Sequence, residues 1–446
     1  MKQGVLRFIT AGSVDDGKST LIGRLLYDTK AVLSDQLVAL SKTKYARVTA
    51  HDASVDLALL TDGLEAEREQ GITIDVAYRY FATAKRKFIV ADAPGHEQYT
   101  RNLVTGASQA DVAVILVDAT RVDLSVNPPV LLDQTKRHSA LVKLLGLKHI
   151  VFAINKMDLV EFDQKRFEEI SSALKDMCKT LGIQEMHSIP MSALLGDNVV
   201  TTGDRMPWYN GKPLLEWLED VDSFSSQKKS TQDSGIGLRF PVQFVARQDG
   251  NSDADYRGYL GKIESGEMYR GQKVKVLPGQ SETTITAIHI ANQHDILPSE
   301  LGEEKAYAGQ VVAISLEKDI DISRGDMIIA IADGDAPQVT KKIQADLCWL
   351  DQDELSLARK YILRHTTNQV FAKVKSLDQV LDVKTLSHGT QGQTLKMNDI
   401  GIVQMTLQKT IAADLFDQLP ATGAFVLIDE ISNHTVAAGM IRRATE

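Results

Sequence analysis

Two cysteines in 446 residues, Cys178 and Cys348, are too few and too far apart for a disulfide scaffold or a thiolate metal site. Both are expected as reduced thiols in a reducing compartment. Positive charge is also scarce. The 50 Lys and Arg stand against 59 Asp and Glu, a net charge of −9, whereas a protein that grips nucleic-acid backbone is more often basic. No nucleic-acid partner is expected. No apolar run approaches the roughly 20 residues that span a bilayer. Met1 to Thr10 lead straight into a strand pattern without a signal-peptide layout. These absences describe a soluble, cytoplasmic chain with no membrane partner. With 43% hydrophobic and 24% charged residues the composition is globular, and the length suits about three domains.

What is present begins at the N-terminus. Val5, Leu6, Phe8 and Ile9 supply a strand, and Leu21, Ile22, Leu25 and Leu26 give a helix one apolar stripe. Between them, Gly12-Ser13-Val14-Asp15-Asp16-Gly17-Lys18-Ser19 fits G-x-x-x-x-G-K-[ST], a phosphate-binding loop. Glycines let the backbone wrap phosphate oxygens so that successive N–H groups donate inward. The following helix adds its positive end. Lys18 is then expected on the β- and γ-phosphates, and the Ser19 hydroxyl on Mg²⁺. An ordinary glycine-rich turn is the competing reading, and the flanking strand and helix argue against it.

Residues 28–62 carry helical spacing with polar breaks and read as an insertion on the domain surface, with His51 a surface residue. Gly71-Ile72-Thr73-Ile74 then places a hydroxyl beside a glycine hinge, ahead of a β-rich stretch from Val76 to Phe81. In a phosphate-loop enzyme a mobile loop of this kind puts a Thr on Mg²⁺ and senses the γ-phosphate. Lys85-Arg86-Lys87 reads as a hairpin turn. The strand Phe88 to Ala91 ends in Asp92-Ala93-Pro94-Gly95-His96. A carboxylate at a strand's C-terminal end beside the phosphate loop is placed for Mg²⁺. Gly95 can offer its N–H to the γ-phosphate, and His96 then lies near the attacking water. Taken alone, the pentapeptide would be a turn.

Val112 to Val117 is a continuous apolar strand closed by Asp118-Ala119, as a sheet buried on both faces requires. His149 to Ile154 is another, and it ends in Asn155-Lys156-Met157-Asp158, an N-K-x-D sequence that suits guanine. A carboxylate at Asp158 accepts from both N1–H and the exocyclic amine. Adenine has no such donor pair. Asn155 braces the loop, and the Lys156 stem lies over the base. A last strand, Ile189 to Met191, leads into Ser192-Ala193-Leu194, where a backbone N–H suits the guanine O6. The fold class is therefore an α/β phosphate-loop domain, doubly wound with a mostly parallel sheet, over residues 1–222.

Residues 223–237 are polar and linker-like. Beyond them, short alternating runs such as Pro241 to Ala246, Tyr259 to Ile263 and Lys273 to Leu277 predict an antiparallel β-barrel over 238–332. Gln369 to Val374, Ile402 to Leu407, Ala424 to Asp429 and Val436 to Ile441 predict a second over 338–446. His365, His388 and His434 are isolated and read as structural.

Four nucleotide-site elements in this order, followed by two barrels, resemble the translational GTPase superfamily of elongation factors, across essentially the whole chain. Four stretches resemble most the large, GTP-hydrolysing subunits of bacterial sulfate adenylyltransferase. They are the Gly12–Ser19 loop, with Ser13 where elongation factors usually show His, the switch segment from Leu60 to Phe81, and the β-part sequences Leu238 to Gln243 and Thr422 to Asp429. The resemblance implies GTP and Mg²⁺ as cofactors and a heterodimer with a small catalytic subunit. That partner would convert ATP and sulfate to adenosine 5′-phosphosulfate and pyrophosphate, the first step of sulfate assimilation, while GTP hydrolysis drives it. An elongation-factor-like carrier of aminoacyl-tRNA is the alternative. Residues 247–256 form a longer loop than the pattern has. The chain ends at Glu446, so the adenylylsulfate kinase activity carried by some relatives is expected to be absent.

Overall fold

The computed structural model describes residues 4–31, 57, 75–96, 99–126, 129–221, 235–248, 256–290, 304–332, 334–389 and 394–445. Most of the insertion read over 28–62, the switch segment through Thr73, most of the linker and the tip of the 247–256 loop lie outside them. By contacts the chain divides into two compact units, Met1–Ser226 with Asp382–Ser387, and Gln227–Leu381 with His388–Glu446.

The first unit holds strands β1 (Val5–Ala11), β2 (Ala77–Ala82), β3 (Lys87–Asp92), β4 (Val112–Asp118), β5 (His149–Asn155) and β6 (Met186–Pro190). Their order is β2-β3-β1-β4-β5-β6. Only β2 runs antiparallel, as a hairpin with β3. Helices α1 (Lys18–Asp28), α2 (Thr100–Ala107), α3 (Asp133–Leu144), α4 (Gln164–Leu181) and α5 (Leu214–Asp220) connect and follow the strands. Every residue of β4 is buried, because a parallel strand covered on both faces has no polar side. Phe8, Phe81 and Phe88 pack together, Phe81 stacked on Phe88 with centroids 4.8 Å apart. Each fully buried aromatic of this kind contributes roughly 1.5–3 kcal/mol.

The chain leaves β1 for β3 on one side and β4 on the other, so the β1–α1 loop sits where the strand order reverses. The register sets the strand ends level. Thr10 pairs Asp92 across β1 and β3, and Asp118 pairs Asn155 across β4 and β5. All four motif loops thus leave the same end of the sheet.

The second unit contains two barrels. In the first, β7 (Phe240–Gln248), β8 (Tyr256–Lys262), β10 (Lys273–Leu277), β11 (Ser281–Ile290), β13 (Val311–Leu316) and β14 (Met327–Ala330) close in the order β10-β11-β13-β8-β7-β14. The three-residue strands β9 (Glu267–Tyr269) and β12 (Lys305–Tyr307) form a separate ribbon. In the second, β15 (Gln338–Trp349), β16 (Tyr361–His365), β17 (Asn368–Asp382), β19 (Ile400–Ala413), β20 (Ala424–Asp429) and β21 (Thr435–Thr445) close through pairing of β16 with β17. The short β18 (Ser387–Gly389) extends the sheet beyond β17. Each barrel has its own apolar core, around Phe240, Tyr259 and Ile314 in one and Trp349, Leu363 and Val403 in the other.

Buried ties join the barrels. Arg239, fully buried before β7, donates from Nε and Nη2 to Asp414 after β19 at 3.0–3.2 Å. Asp414 also accepts from Thr422 Oγ1 at 2.6 Å, and the Thr422 carbonyl meets His365 Nε2 at 2.6 Å. Leu277, Met327 and Ile329 of the first barrel pack with Ala412 of the second.

Candidate functional site

The loop after β1 takes its shape from two glycines. Gly12 and Gly17 sit at φ 149° and 94°, where a side chain is strained. A Cβ at Gly17 would also lie 2.4 Å from Asn155 Nδ2. Lys18 is buried and donates from Nζ to the carbonyls of Gly12 at 3.1 Å and Ser13 at 2.8 Å. Burial lowers its pKa, against the pull of Asp92, Asp16 and Asp15. The Ser13 N–H donates to Asp16 Oδ2 at 2.6 Å, Asp15 is exposed at φ 65°, and the Val14 carbonyl accepts from Arg121 Nη1 at 2.9 Å. Ser19, in the first turn of α1, is half-buried.

Asp92, at the end of β3, is buried and accepts from Thr10 Oγ1 at 3.2 Å. Ala93, Pro94 and Gly95 are buried, and His96 is exposed. Gly95 lies hard against the phosphate loop: a Cβ there would stand 2.5 Å from Lys18 Nζ and 2.9 Å from the Val14 nitrogen. Such an approach admits only glycine. The His96 ring meets Tyr99 edge-on, centroids 6.4 Å apart.

On the other flank Asn155 joins two loops. Its Nδ2 donates to the Asp16 carbonyl at 2.8 Å, and its Oδ1 accepts from the Ala193 N–H at 2.9 Å. Lys156, at φ 63°, extends Nζ to Asp118 Oδ2 at 2.7 Å. Burial pushes the Asp118 carboxyl up, but hydrogen bonds from Lys156 and Thr120 outweigh it and hold the pKa below the usual range. Met157 is buried and Asp158 half-buried in a single 3₁₀ turn. Ser192 and Ala193 are buried and Leu194 is exposed. Arg24 on α1 donates Nε to the Ala193 carbonyl at 3.3 Å and also bonds the Leu194 carbonyl.

The structure thus brings together the site residues of the phosphate loop, of Asp92–His96, of Asn155–Asp158 and of Ser192–Leu194. Thr73 lies outside the described residues. Arg121, Gln134 and His138 enter without having been singled out by sequence. Arg121 reaches Asp16 at 3.5 Å. Gln134 Nε2 donates to the Gly95 carbonyl at 3.3 Å and lies 2.9 Å from His138 Nε2. No motif announces them, since each meets a backbone carbonyl or a side chain distant in sequence or outside any motif.

The elongation factor Tu GTP-binding domain family matches residues 3–224, and the GTP-eEF1A C-terminal domain-like family matches residues 342–442. Sulfate adenylyltransferase subunit 1 of Teredinibacter turnerae is 46% identical over 98% of this chain and 87% of its own length. The subunit 1 of Saccharophagus degradans is 45% identical over 98% of this chain and 86% of its own. The bifunctional enzyme CysN/CysC of Mycobacterium tuberculosis is 47% identical over 98% of this chain and 67% of its own.

Proposed function

The chain belongs to the sulfate adenylyltransferase subunit 1 family, elongation-factor-like GTPase subunits of that enzyme, and from this we propose that its GTP hydrolysis drives adenosine 5′-phosphosulfate synthesis by a small catalytic partner. The partner joins ATP and sulfate and releases pyrophosphate. The two chains form a heterodimer in the cytoplasm. A γ-phosphate that orders the switch loops changes the surface offered to the partner, and its loss shifts the partner's equilibrium.

In this reading the domains are 1–222, 238–332 and 338–446, with 223–237 the linker. Gly12 to Ser19 cradle the phosphates, with Lys18 on the β- and γ-oxygens. Oxygen donors from Ser19 and Asp92 suit a hard cation. They would hold Mg²⁺ together with Thr73, and that ion would supply charge neutralisation for the phosphates. The Gly95 N–H meets the γ-phosphate and His96 positions water. Asp158 takes the guanine N1–H and amine, Lys156 covers the base, and the Ser192–Leu194 loop serves O6.

The observation that carries the nucleotide site is Asn155, one amide bonded to the phosphate loop and to Ala193. A ligand with phosphates at one end and a base at the other matches that bridge. The test is co-purification with the small subunit, then GTP hydrolysis with and without that subunit, ATP and sulfate. Slow turnover alone, raised by the subunit and further by its substrates, is expected. Stimulation by ribosomes and aminoacyl-tRNA, with indifference to ATP and sulfate, would hand the case to the carrier reading.

A further inference from the structure

His96 is exposed on a short turn, yet its backbone is held at both ends. Its carbonyl accepts from the Tyr99 N–H at 3.1 Å. The peptide plane before it, which carries the Gly95 carbonyl and the His96 N–H together, is held by Gln134 Nε2 at 3.3 Å. Gln134 lies in the first turn of α3 and is 8% exposed. All three polar features of its amide are used. One N–H goes to Gly95, the other to His138 Nε2 at 2.9 Å, and Oε1 accepts from Arg137 Nη1 at 3.1 Å. An amide nitrogen only donates, so His138 accepts at Nε2 and carries its proton on Nδ1.

His138 stands one helical turn beyond Gln134, on the same face of α3. It is 1% exposed, and its Nδ1 has no hydrogen-bond partner among the described residues. Burial first, then the charges of Lys18 and Arg137, push its pKa down to about 3. A neutral imidazole is what the Gln134 bond requires. A buried, neutral His with an unbonded nitrogen is an expensive way to support a surface turn. It is an economical way to prevent a glutamine amide from turning over.

We propose that Gln134 is a positioning residue for GTP hydrolysis: through the Gly95 carbonyl it orients the peptide that aims His96, and His138 locks the Gln134 amide in the one orientation that does so. The inference rests on the water-positioning role given to His96 above. On this proposal Gln134 acts on the reaction only through the turn.

The test is a double-mutant cycle on the full chain with its small partner subunit, reading single-turnover GTP hydrolysis and the affinity of fluorescent GDP and GTP. Gln134→Met keeps the length of the side chain and removes both donors. Its hydrolysis should fall roughly 10- to 100-fold, the cost of misplacing a catalytic group, with both affinities within about 2-fold. In a His96→Ala background the same substitution should change hydrolysis by less than about 2-fold, because the two act through one step. Additive losses, an unchanged rate, or equal losses of affinity and hydrolysis would overturn the proposal. Gln134→Asn, which keeps the donors but withdraws them by one methylene, should behave like Gln134→Met and decides the matter should the latter not fold. Native-rate hydrolysis by His96→Ala alone would remove the role of His96 itself. A slow His96→Ala beside a fast Gln134→Met would remove only that of Gln134.

Discussion

Asp16 is a carboxylate placed inside a loop built to receive anions. It is fully buried, and burial raises its pKa from 3.8 to about 6, against the charge of Lys18, the Ser13 N–H and Arg121. The folded chain therefore binds a proton there that the unfolded chain does not, between about pH 4 and 6. By linkage, stability falls as pH rises through that window. The shift, from 3.8 to about 6, amounts to a cost of roughly 3 kcal/mol at neutral pH. Asp16→Asn should raise the melting temperature of the nucleotide-free protein at pH 7.5, and the difference from wild type should shrink steadily towards pH 4. A pH-independent difference, read by thermal melts across that range, would rule out the charge as its origin. Asp158 offers a second residue-scale test. If Asp158 meets the guanine as proposed, Asp158→Asn inverts the donor and acceptor pattern offered to the base, so preference should move from GTP towards xanthosine triphosphate by about 10- to 100-fold. Competition binding with the two nucleotides measures this, and an unchanged preference would take Asp158 off the base.

At the scale of elements, the last helix of the first unit shows what sequence patterns miss. Helix α5 has no basic residue in its last turn. Arg86, from the β2–β3 hairpin, supplies one. Its Nη1 donates to the carbonyls of Leu218 at 3.3 Å and Glu219 at 3.5 Å, and also bonds that of Val221. Cations suit a helix C-terminus because the last carbonyls lack partners. Arg86→Ala should cost roughly 1–3 kcal/mol. It should speed amide exchange in α5 more than in β1, a contrast that hydrogen-exchange mass spectrometry resolves. Equal exchange in both elements would make Arg86 a general core residue. From sequence, Lys85-Arg86-Lys87 read as a hairpin turn, and it is one: the Thr83 N–H bonds the Arg86 carbonyl at 2.9 Å. Its partner lies more than 130 positions away, and no local pattern encodes that pairing. The glycines of the phosphate loop were legible because their constraint is local, a positive φ within a fixed spacing. The long barrel strands were legible through alternation. The three-residue β9, β12 and β18 were not, since three residues carry no period. Gln134 and His138 stayed invisible because their partners are a main-chain carbonyl, a neighbouring arginine and each other, none of which forms a motif.

At the scale of the whole molecule, the two barrels depend on shared buried groups. Arg239 is fully enclosed, and removing it leaves Asp414 as an unpaired buried charge, a loss of about 3–5 kcal/mol. Arg239→Met should therefore destabilise strongly, whereas Arg239→Met with Asp414→Leu should recover much of the loss, because breaking a buried pair costs more than replacing it. Chemical denaturation of the two variants compares them, and equal instability would show that packing at this seam outweighs charge. With Leu277, Met327, Ile329 and Ala412 sharing one apolar cluster across the seam, the barrels should melt in one calorimetric transition. That interdependence bears on how the chain can be recombined. Asp335, in the short connector between the barrels, also lies 3.4 Å from Arg239. A chimera cut at this connector separates Arg239 from Asp414 and Thr422, however well each barrel matches its parent. The barrels are therefore expected to exchange as a pair and not as separate cassettes, with a productive crossover falling before Arg239 or carrying both halves of the bond from one parent.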